Sequence, residues 1–89
     1  MRILKLTTNQ ILQKAVSAHN EGKFDEAERL YREILKDEPT QLDANNNLGV
    51  LLYSMNRLEE SEESYRKAIQ LKPDYAEAHY NLGNVQKNF

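Results

Sequence analysis

A gapless internal repeat of 34 residues constrains this chain more than any other feature. Glycine, proline and tyrosine each recur at that interval, in the pairs Gly49 and Gly83, Pro39 and Pro73, and Tyr31 and Tyr65. Self-similarity at a fixed period indicates like units that stack on one another rather than a mosaic of different domains. The register divides the chain into an N-terminal segment, two full units and the first half of a third unit, at 1–7, 8–41, 42–75 and 76–89.

Each unit has the pattern of a helix, a turn and a second helix. Apolar residues recur three and four positions apart, which places them on one face of an α-helix. Gly22 and Asn56 stand at the turn inside a unit, where a left-handed residue can end the first helix. Thr7, Thr40 and Asp74 are predicted N-caps. The spacing predicts five helices, near 8–21, 24–37, 41–54, 58–71 and 75–88.

Composition excludes several classes of protein. The chain carries 12 Lys and Arg against 14 Asp and Glu, and this net charge of −2 argues against a nucleic-acid binder. There is no cysteine, which removes disulfides, thiol catalysis and cysteine-ligated metal sites. No apolar run approaches the roughly 20 residues of a membrane span. We therefore expect no nucleic-acid partner and no membrane partner, and a cytoplasmic location.

The titratable residues give little support for catalysis or metal binding. His19 and His79 stand at different places in the repeat, and neither has a neighbour at metal-ligand spacing. We expect His79 to pack between helices and His19 to face solvent. The glycines are isolated, so the sequence has no phosphate-binding loop. The prediction is a protein that is not an enzyme, with no catalytic residue, no metal site and no cofactor.

The repeat resembles the tetratricopeptide repeat over nearly the whole chain. The segment AEAHYNLGNV at 76–85 is similar to the opening of that motif, and the unit at 42–75 resembles all of it. The matches in this unit are a Leu-Gly pair, an aromatic, a late alanine and a closing proline, at Leu48, Gly49, Tyr65, Ala68 and Pro73. The first unit matches at Ala15, Gly22, Ala27, Tyr31 and Pro39. The departures from the motif are Lys14, Asn45, Ser61 and His79.

The resemblance implies an all-α fold, a right-handed α-solenoid of antiparallel helix pairs, with about five helices in this chain. Two helices of a pair approach closely only where their side chains are small. We therefore expect Gly49 to face Ser61 and Ala15 to face Ala27. In this family the first helix of each unit lines the concave side of the solenoid.

The resemblance also points to a peptide-binding groove that is rich in amide side chains. Asn47 and Asn81 occupy equivalent positions, as does Gln13 in the first unit, and an amide offers a peptide backbone both a donor and an acceptor. The alternative left open is that these amides are solvated or hydrogen-bond neighbouring helices. The predicted groove residues are Gln13, Asn46, Asn47, Val50, Tyr53, Tyr80, Asn81 and Asn84.

Two functions fit these observations. The first is a non-catalytic protein–protein interaction module that binds an extended peptide or a partner helix in the concave groove. The second is an N-terminal recruiting arm, or a fragment, of a larger enzyme such as a bacterial glycosyltransferase or sulfotransferase. The last helix has no following helix in this sequence, so its large apolar residues are expected to form a self-association surface and a homo-oligomer. These residues are Leu82, Val85 and Phe89.

Overall fold

The computed structural model describes residues 5–88, and this part of the chain contains α-helices and no strand. The five helices are α1 (Thr8–Asn20), α2 (Phe24–Asp37), α3 (Leu42–Ser54), α4 (Leu58–Leu71) and α5 (Ala76–Gln86). The predicted all-α fold is therefore confirmed. We refer to α1, α3 and α5 as the first helices of their units and to α2 and α4 as the second helices.

The turn inside each full unit is closed by a residue in the left-handed conformation. Gly22 has a φ of 78° and Asn56 has a φ of 58°. The residue after each of them donates a backbone hydrogen bond to the carbonyl five positions earlier, at 2.8 Å and 2.9 Å. These bonds satisfy carbonyls that the end of a helix would otherwise leave unpaired. The predicted role of both residues in the turn is confirmed.

Only one of the three predicted N-caps is correct. Thr7 forms a capping box with the residue three positions later. The predicted N-caps Thr40 and Asp74 are wrong, because each of these residues lies in a turn that a backbone hydrogen bond closes just before the next helix. The helix therefore begins one residue later than expected. Gln41 is the N-cap of α3 and its side chain accepts a hydrogen bond from a backbone N–H at 2.7 Å, whereas Tyr75 at the start of α5 makes no side-chain cap bond.

Small residues let the two helices of each unit pack closely. Ala15 and Ala27 are both fully buried in the first unit. In the second unit the hydroxyl of Ser61 donates a hydrogen bond to the backbone carbonyl of Gly49 at 2.7 Å. Ser61 thus replaces the alanine of the motif without leaving a buried polar atom unpaired. The main core runs through the first unit and into the first helix of the second unit, where it ends on α3 with Leu48, Leu51 and Leu52.

The second helix of each unit also contacts the first helix of the next, so that the units stack. An ion-pair cluster ties the first unit to the second. Arg57 Nη1 donates to Glu28 Oε1 at 2.7 Å, and its Nε donates to Glu60 Oε2 at 2.7 Å. Arg32 joins the cluster through Glu28 at 2.8 Å. Because α1 touches α3 and α3 touches α5, the first helices form one continuous face. We call it the first-helix face.

Candidate functional site

A groove of about 610 Å³ runs along the first-helix face between α1 and α3. Gln13 and Val16 line it from α1, and Asp43 and Asn47 line it from α3. Gln13 and Val16 are exposed, while Asn47 is half-buried. The groove therefore has an amide side chain on each bordering helix, Gln13 on α1 and Asn47 on α3. The apolar side chain of Val16 lies among these polar groups. Such a surface can hydrogen-bond a ligand and exclude water from part of it.

Asn47 also contacts the helix behind it. Its side chain lies against the hydroxyl of Tyr31, and this hydrogen bond partly opposes the effect of burial, which raises the pKa of Tyr31 to about 12. Burial likewise raises the pKa of Tyr65 to about 12. The half-buried Asn81 is the equivalent of Asn47 one repeat later. Asn47 thus contacts Tyr31 and remains half-buried rather than enclosed.

The other predicted groove residues on this face are accessible to different degrees. Val50 on α3 and Asn84 on α5 are half-buried, and Tyr53 is exposed. The amide of Asn88 donates to the Tyr53 hydroxyl at 3.0 Å, which connects α3 to the residues after α5. Tyr80 is 72% exposed, the largest exposure of any large apolar side chain in the described residues. The accessible surface therefore extends along all three first helices.

The prediction that Asn46 lines the groove is wrong. Its side chain is 0% exposed, so it is not part of the accessible surface. Its amide donates to Glu77 Oε1 on α5 at 3.3 Å, and its Oδ1 is buried with no hydrogen-bond partner among the described atoms. Leu12 and Tyr80 hold the equivalent positions one repeat before and one repeat after. Leu12 is also buried, because this position faces the first helix of the next unit. Helical spacing alone did not distinguish this position from the groove.

Two departures from the repeat motif make the same contact. The amide of Asn45 donates to the backbone carbonyl of Pro39 at 3.1 Å, and His79 Nε2 lies 2.7 Å from the carbonyl of Pro73. Both bonds reach back six residues to the proline that closes the preceding unit. These side chains therefore fix the connection between units. Sequence analysis missed this role, because the motif often has an aromatic residue at this position and its spacing does not reveal a contact with the preceding proline.

The two histidines lie differently from the prediction. His79 is exposed rather than packed between helices. His19 is half-buried, edge-on to the ring of Phe24 at 5.5 Å between centroids, with Nε2 3.1 Å from Ser54 Oγ. Burial lowers the pKa of His19. Between residues 5 and 88, no three His, Asp or Glu side chains are grouped so that they could hold a metal ion.

The predicted self-association surface on α5 is only partly exposed. Val85 is fully buried, so the prediction that it stays uncovered is wrong. Its side chain turns inward, away from the exposed part of the helix. Leu82 is half-buried, and Phe89 lies outside the described residues. In the described part of the chain, every helix is too short or too polar to cross a membrane.

Comparison with known proteins adds three findings. The family model described as "Tetratricopeptide repeat" matches residues 18–65, and the model described as "TPR repeat" matches residues 51–88. The solved structure of a MamA mutant superposes with a TM-score of 0.81 at 20% sequence identity, and the alignment covers 92% of this chain. It covers 45% of the MamA chain, so this chain spans less than half the length of that protein. At this identity the likeness concerns the fold alone. A search of curated proteins gives no match.

Proposed function

The chain belongs to the tetratricopeptide repeat family, and we propose that this protein-interaction module binds an extended peptide along its first-helix face. Gln13, Asn47 and Asn81 contact the peptide backbone in this proposal. Val50, Tyr53, Tyr80 and Asn84 contact its side chains. Asn46 is left out because it is buried. The proposal includes no catalytic step.

The groove between α1 and α3 is the observation that carries the proposal. The amide of Gln13 lies on α1 and the amide of Asn47 lies on α3, and both side chains line this groove. An extended peptide exposes a backbone N–H and C=O at regular intervals, and an amide side chain can pair with either group. Recognition through the backbone tolerates many peptide sequences. The exposed Val16 beside Gln13 adds an apolar contact that a ligand side chain can cover.

The first-helix face around the groove carries little charge, so it does not favour a strongly charged ligand. Asp43 borders the groove on α3, and the amides that surround it are neutral. The net charge of the whole chain is −2. A peptide that carries one or two basic residues beside apolar residues therefore fits this face better than an acidic peptide. Rim charges of this kind affect the association rate more than the affinity.

The test starts from phage-displayed random peptides that are panned on the immobilised chain. The affinity of an enriched peptide is then compared between the wild type and the double variant Asn47→Ala with Asn81→Ala. Each lost hydrogen bond is worth about 1 kcal/mol, so the two together should weaken binding about thirtyfold. Gln70→Ala removes an exposed amide from α4 and is the matched control.

We expect the control variant to bind the peptide as the wild type does. Both variants should keep the wild-type circular dichroism spectrum. If the double variant binds with unchanged affinity, the amides do not contact the peptide and the proposed groove is wrong. If no peptide is enriched on the folded wild-type chain, the proposal of an extended-peptide ligand is contradicted.

A further inference from the structure

The first helices carry very few charged side chains. Of Lys, Arg, Asp and Glu, the three helices α1, α3 and α5 together contain only Lys14, Asp43 and Glu77. Asp43 and Glu77 hold the same position in successive repeats, the second residue of α3 and of α5, and both are exposed. The equivalent residue on α1 is the neutral Asn9. The negative charge of the first-helix face therefore lies at the N-terminal ends of α3 and α5.

Side-chain contacts bring these two carboxylates to the same place. Asp43 stands three positions before Asn46, so the two side chains lie one turn apart on one side of α3. The amide of Asn46 donates to Glu77 Oε1 at 3.3 Å, and the hydroxyl of Tyr75 donates to Glu77 Oε2 at 3.4 Å. Burial raises the pKa of Tyr75, and the charges of Glu77 and Asp43 raise it further. Both carboxylates therefore lie near one hydroxyl at the edge of the face.

Neither carboxylate has a basic partner within the part of the chain that the structure describes. Lys72 lies over the ring of Tyr75, with Nζ 5.6 Å from the ring centroid, and pairs with neither of them. Glu28 on α2 differs, because two arginines bind it at 2.7 Å and 2.8 Å. The two bonds to Glu77 come from neutral groups and are long, since charge-assisted bonds measure roughly 2.7–2.9 Å. The charge of Glu77 is therefore held in place but not compensated.

The carboxamide of Asn46 indicates what kind of ligand this place lacks. Asn46 is 0% exposed, and its Oδ1 has no hydrogen-bond partner among the described atoms, although Nδ2 of the same group contacts Glu77. Only a donor can satisfy a carbonyl oxygen, and ammonium and guanidinium groups carry several donors and no acceptor. The terminal torsion of asparagine is soft, so Oδ1 can turn towards a cation that reaches Glu77. The unsatisfied oxygen therefore favours a cationic donor beside the carboxylate.

The carboxylates lie along one edge of the amides that are proposed to hold the peptide backbone. Asp43 stands four positions before Asn47, and Glu77 four positions before Asn81, so each pair occupies neighbouring turns of one helix face. On the other side of Asn47 the next turn presents Val50. When the backbone groups of an extended peptide point at the amides, its successive side chains point to opposite edges. One edge is acidic and the other is apolar at α3.

We propose that Asp43 and Glu77 form a subsite that binds the side chain of one lysine or arginine of the extended peptide. This subsite rests on the proposed function and makes it more specific. The basic residue lies over the N-terminal ends of α3 and α5, and the next residue of the peptide is apolar and points towards Val50. An acidic residue in place of the basic one meets two like charges and is rejected. The neutral Asn9 adds no second subsite on α1.

The test uses a fluorescein-labelled peptide enriched from the random library, and a copy in which its basic residue is replaced by glutamine. Affinities for the full chain are measured by fluorescence anisotropy. Asp43→Asn with Glu77→Gln should weaken the basic peptide roughly fivefold, the scale of exposed charge pairs. The loss should be larger in about 50 mM salt than in about 500 mM salt, because salt screens exposed charges.

A matched control separates the subsite from the general effect of two lost charges. Asp25→Asn with Glu59→Gln removes the same two residue types from the same helix position, the second residue of α2 and α4, where both are exposed. Each pair loses the same favourable contact of an acidic side chain with a helix N-terminus. The control should bind the basic peptide as the wild type does. All variants should keep the helical circular dichroism spectrum.

Exchange of charges tests the pairing directly. The glutamine copy of the peptide should bind the wild type and Asp43→Asn with Glu77→Gln equally well, because the interaction is already absent. Asp43→Lys with Glu77→Lys should bind a third copy, with glutamate in place of the basic residue, more tightly than the basic peptide. The wild type should show the opposite order.

Two results would overturn the subsite and leave the proposed groove in place. One is an enriched peptide that Asn47→Ala with Asn81→Ala weakens and that Asp43→Asn with Glu77→Gln does not. The other is a set of enriched peptides without lysine or arginine. Equal weakening by the control pair would assign the effect to net charge and also contradict the subsite. If neither the amide variants nor the carboxylate variants change the affinity, the groove and its subsite are both wrong.

Discussion

The ring of Tyr65 occupies the space that a side chain at Gly49 would need. A Cβ on Gly49 would lie 2.6 Å from Cε1 of Tyr65 and 2.9 Å from Cζ, well inside van der Waals contact. Glycine inside a helix costs about 1 kcal/mol relative to alanine. The close approach of α4 to α3, with Ser61 bonded to the Gly49 carbonyl at 2.7 Å, offsets that cost.

The same substitution at Gly49 and at Gly83 should therefore change stability in opposite directions. Gly49→Ala pushes a methyl group into a buried ring and should cost about 1–3 kcal/mol, less the gain in helix propensity. Gly83→Ala meets open space and should stabilise α5 by up to about 1 kcal/mol. A change of 1 kcal/mol shifts the melting temperature of a domain this small by about 4–8 °C.

Thermal and urea denaturation of the two variants beside the wild type measures this difference. Gly49→Ala should melt below the wild type and Gly83→Ala at or above it. Equal destabilisation of both variants would mean that the ring of Tyr65 does not cover Gly49 while the position of Gly83 stays open.

Removal of the charge of Glu28 should change how the stability responds to acid. Arg57 holds the pKa of Glu28 below its ordinary value, chiefly by hydrogen bonding, with a smaller contribution from Arg32. Below about pH 4.5 the unfolded state therefore binds more protons than the folded state, and the free energy of unfolding falls with the pH. Glu28→Gln should be less stable near neutral pH and should lose less on acidification.

Glu33→Gln is the matched control for this measurement. Glu33 forms an exposed pair with Arg29 at 3.7 Å, and exposed pairs contribute roughly 0–1 kcal/mol. Urea denaturation from pH 7 to pH 3 should show a shallower slope for Glu28→Gln than for the control. Parallel curves for all three proteins would contradict the role given to the Arg57 cluster.

His19 should make the chain less stable as the pH falls below 6.5. Burial lowers the pKa of His19 in the folded chain, so the unfolded state takes up a proton first. The stabilisation is therefore present above the ordinary value of 6.5 and is lost as the pH falls through the folded-state pKa. His19→Gln should flatten this part of the curve, and an NMR titration of the ring should give a midpoint below 6.5. A midpoint above 6.5 would show that the ring is not desolvated.

The fold could be predicted from the sequence because each local signal repeats in register. Gly22 and Asn56 adopt the predicted left-handed turns, and all five helices were expected. The prediction of Thr40 and Asp74 as N-caps was wrong because the turn after each proline is one residue longer than expected, so that the next helix begins one residue later. This difference depends on a backbone hydrogen bond that a sequence pattern does not reveal.

The candidate site could be predicted less well, because exposure depends on the neighbouring unit. Asn46 and Tyr80 hold the same position in successive units, yet one is buried and the other is 72% exposed. The difference comes from α5, which covers Asn46 and has no described helix over its own equivalent face. Val85 was placed with Leu82 by spacing alone, although it turns inward. Helical periodicity thus identified which residues share a face of a helix, but it did not show which of these faces a neighbouring helix covers.

The position of a bound peptide tests the proposed function most directly. A peptide enriched on the chain can be titrated into the ¹⁵N-labelled protein while the backbone and side-chain amide signals are followed. We predict that the largest shifts fall on α1, α3 and α5, and include the side-chain amides of Gln13, Asn47 and Asn81. Shifts confined to α2 and α4, with these three amides unchanged, would contradict binding along the first-helix face.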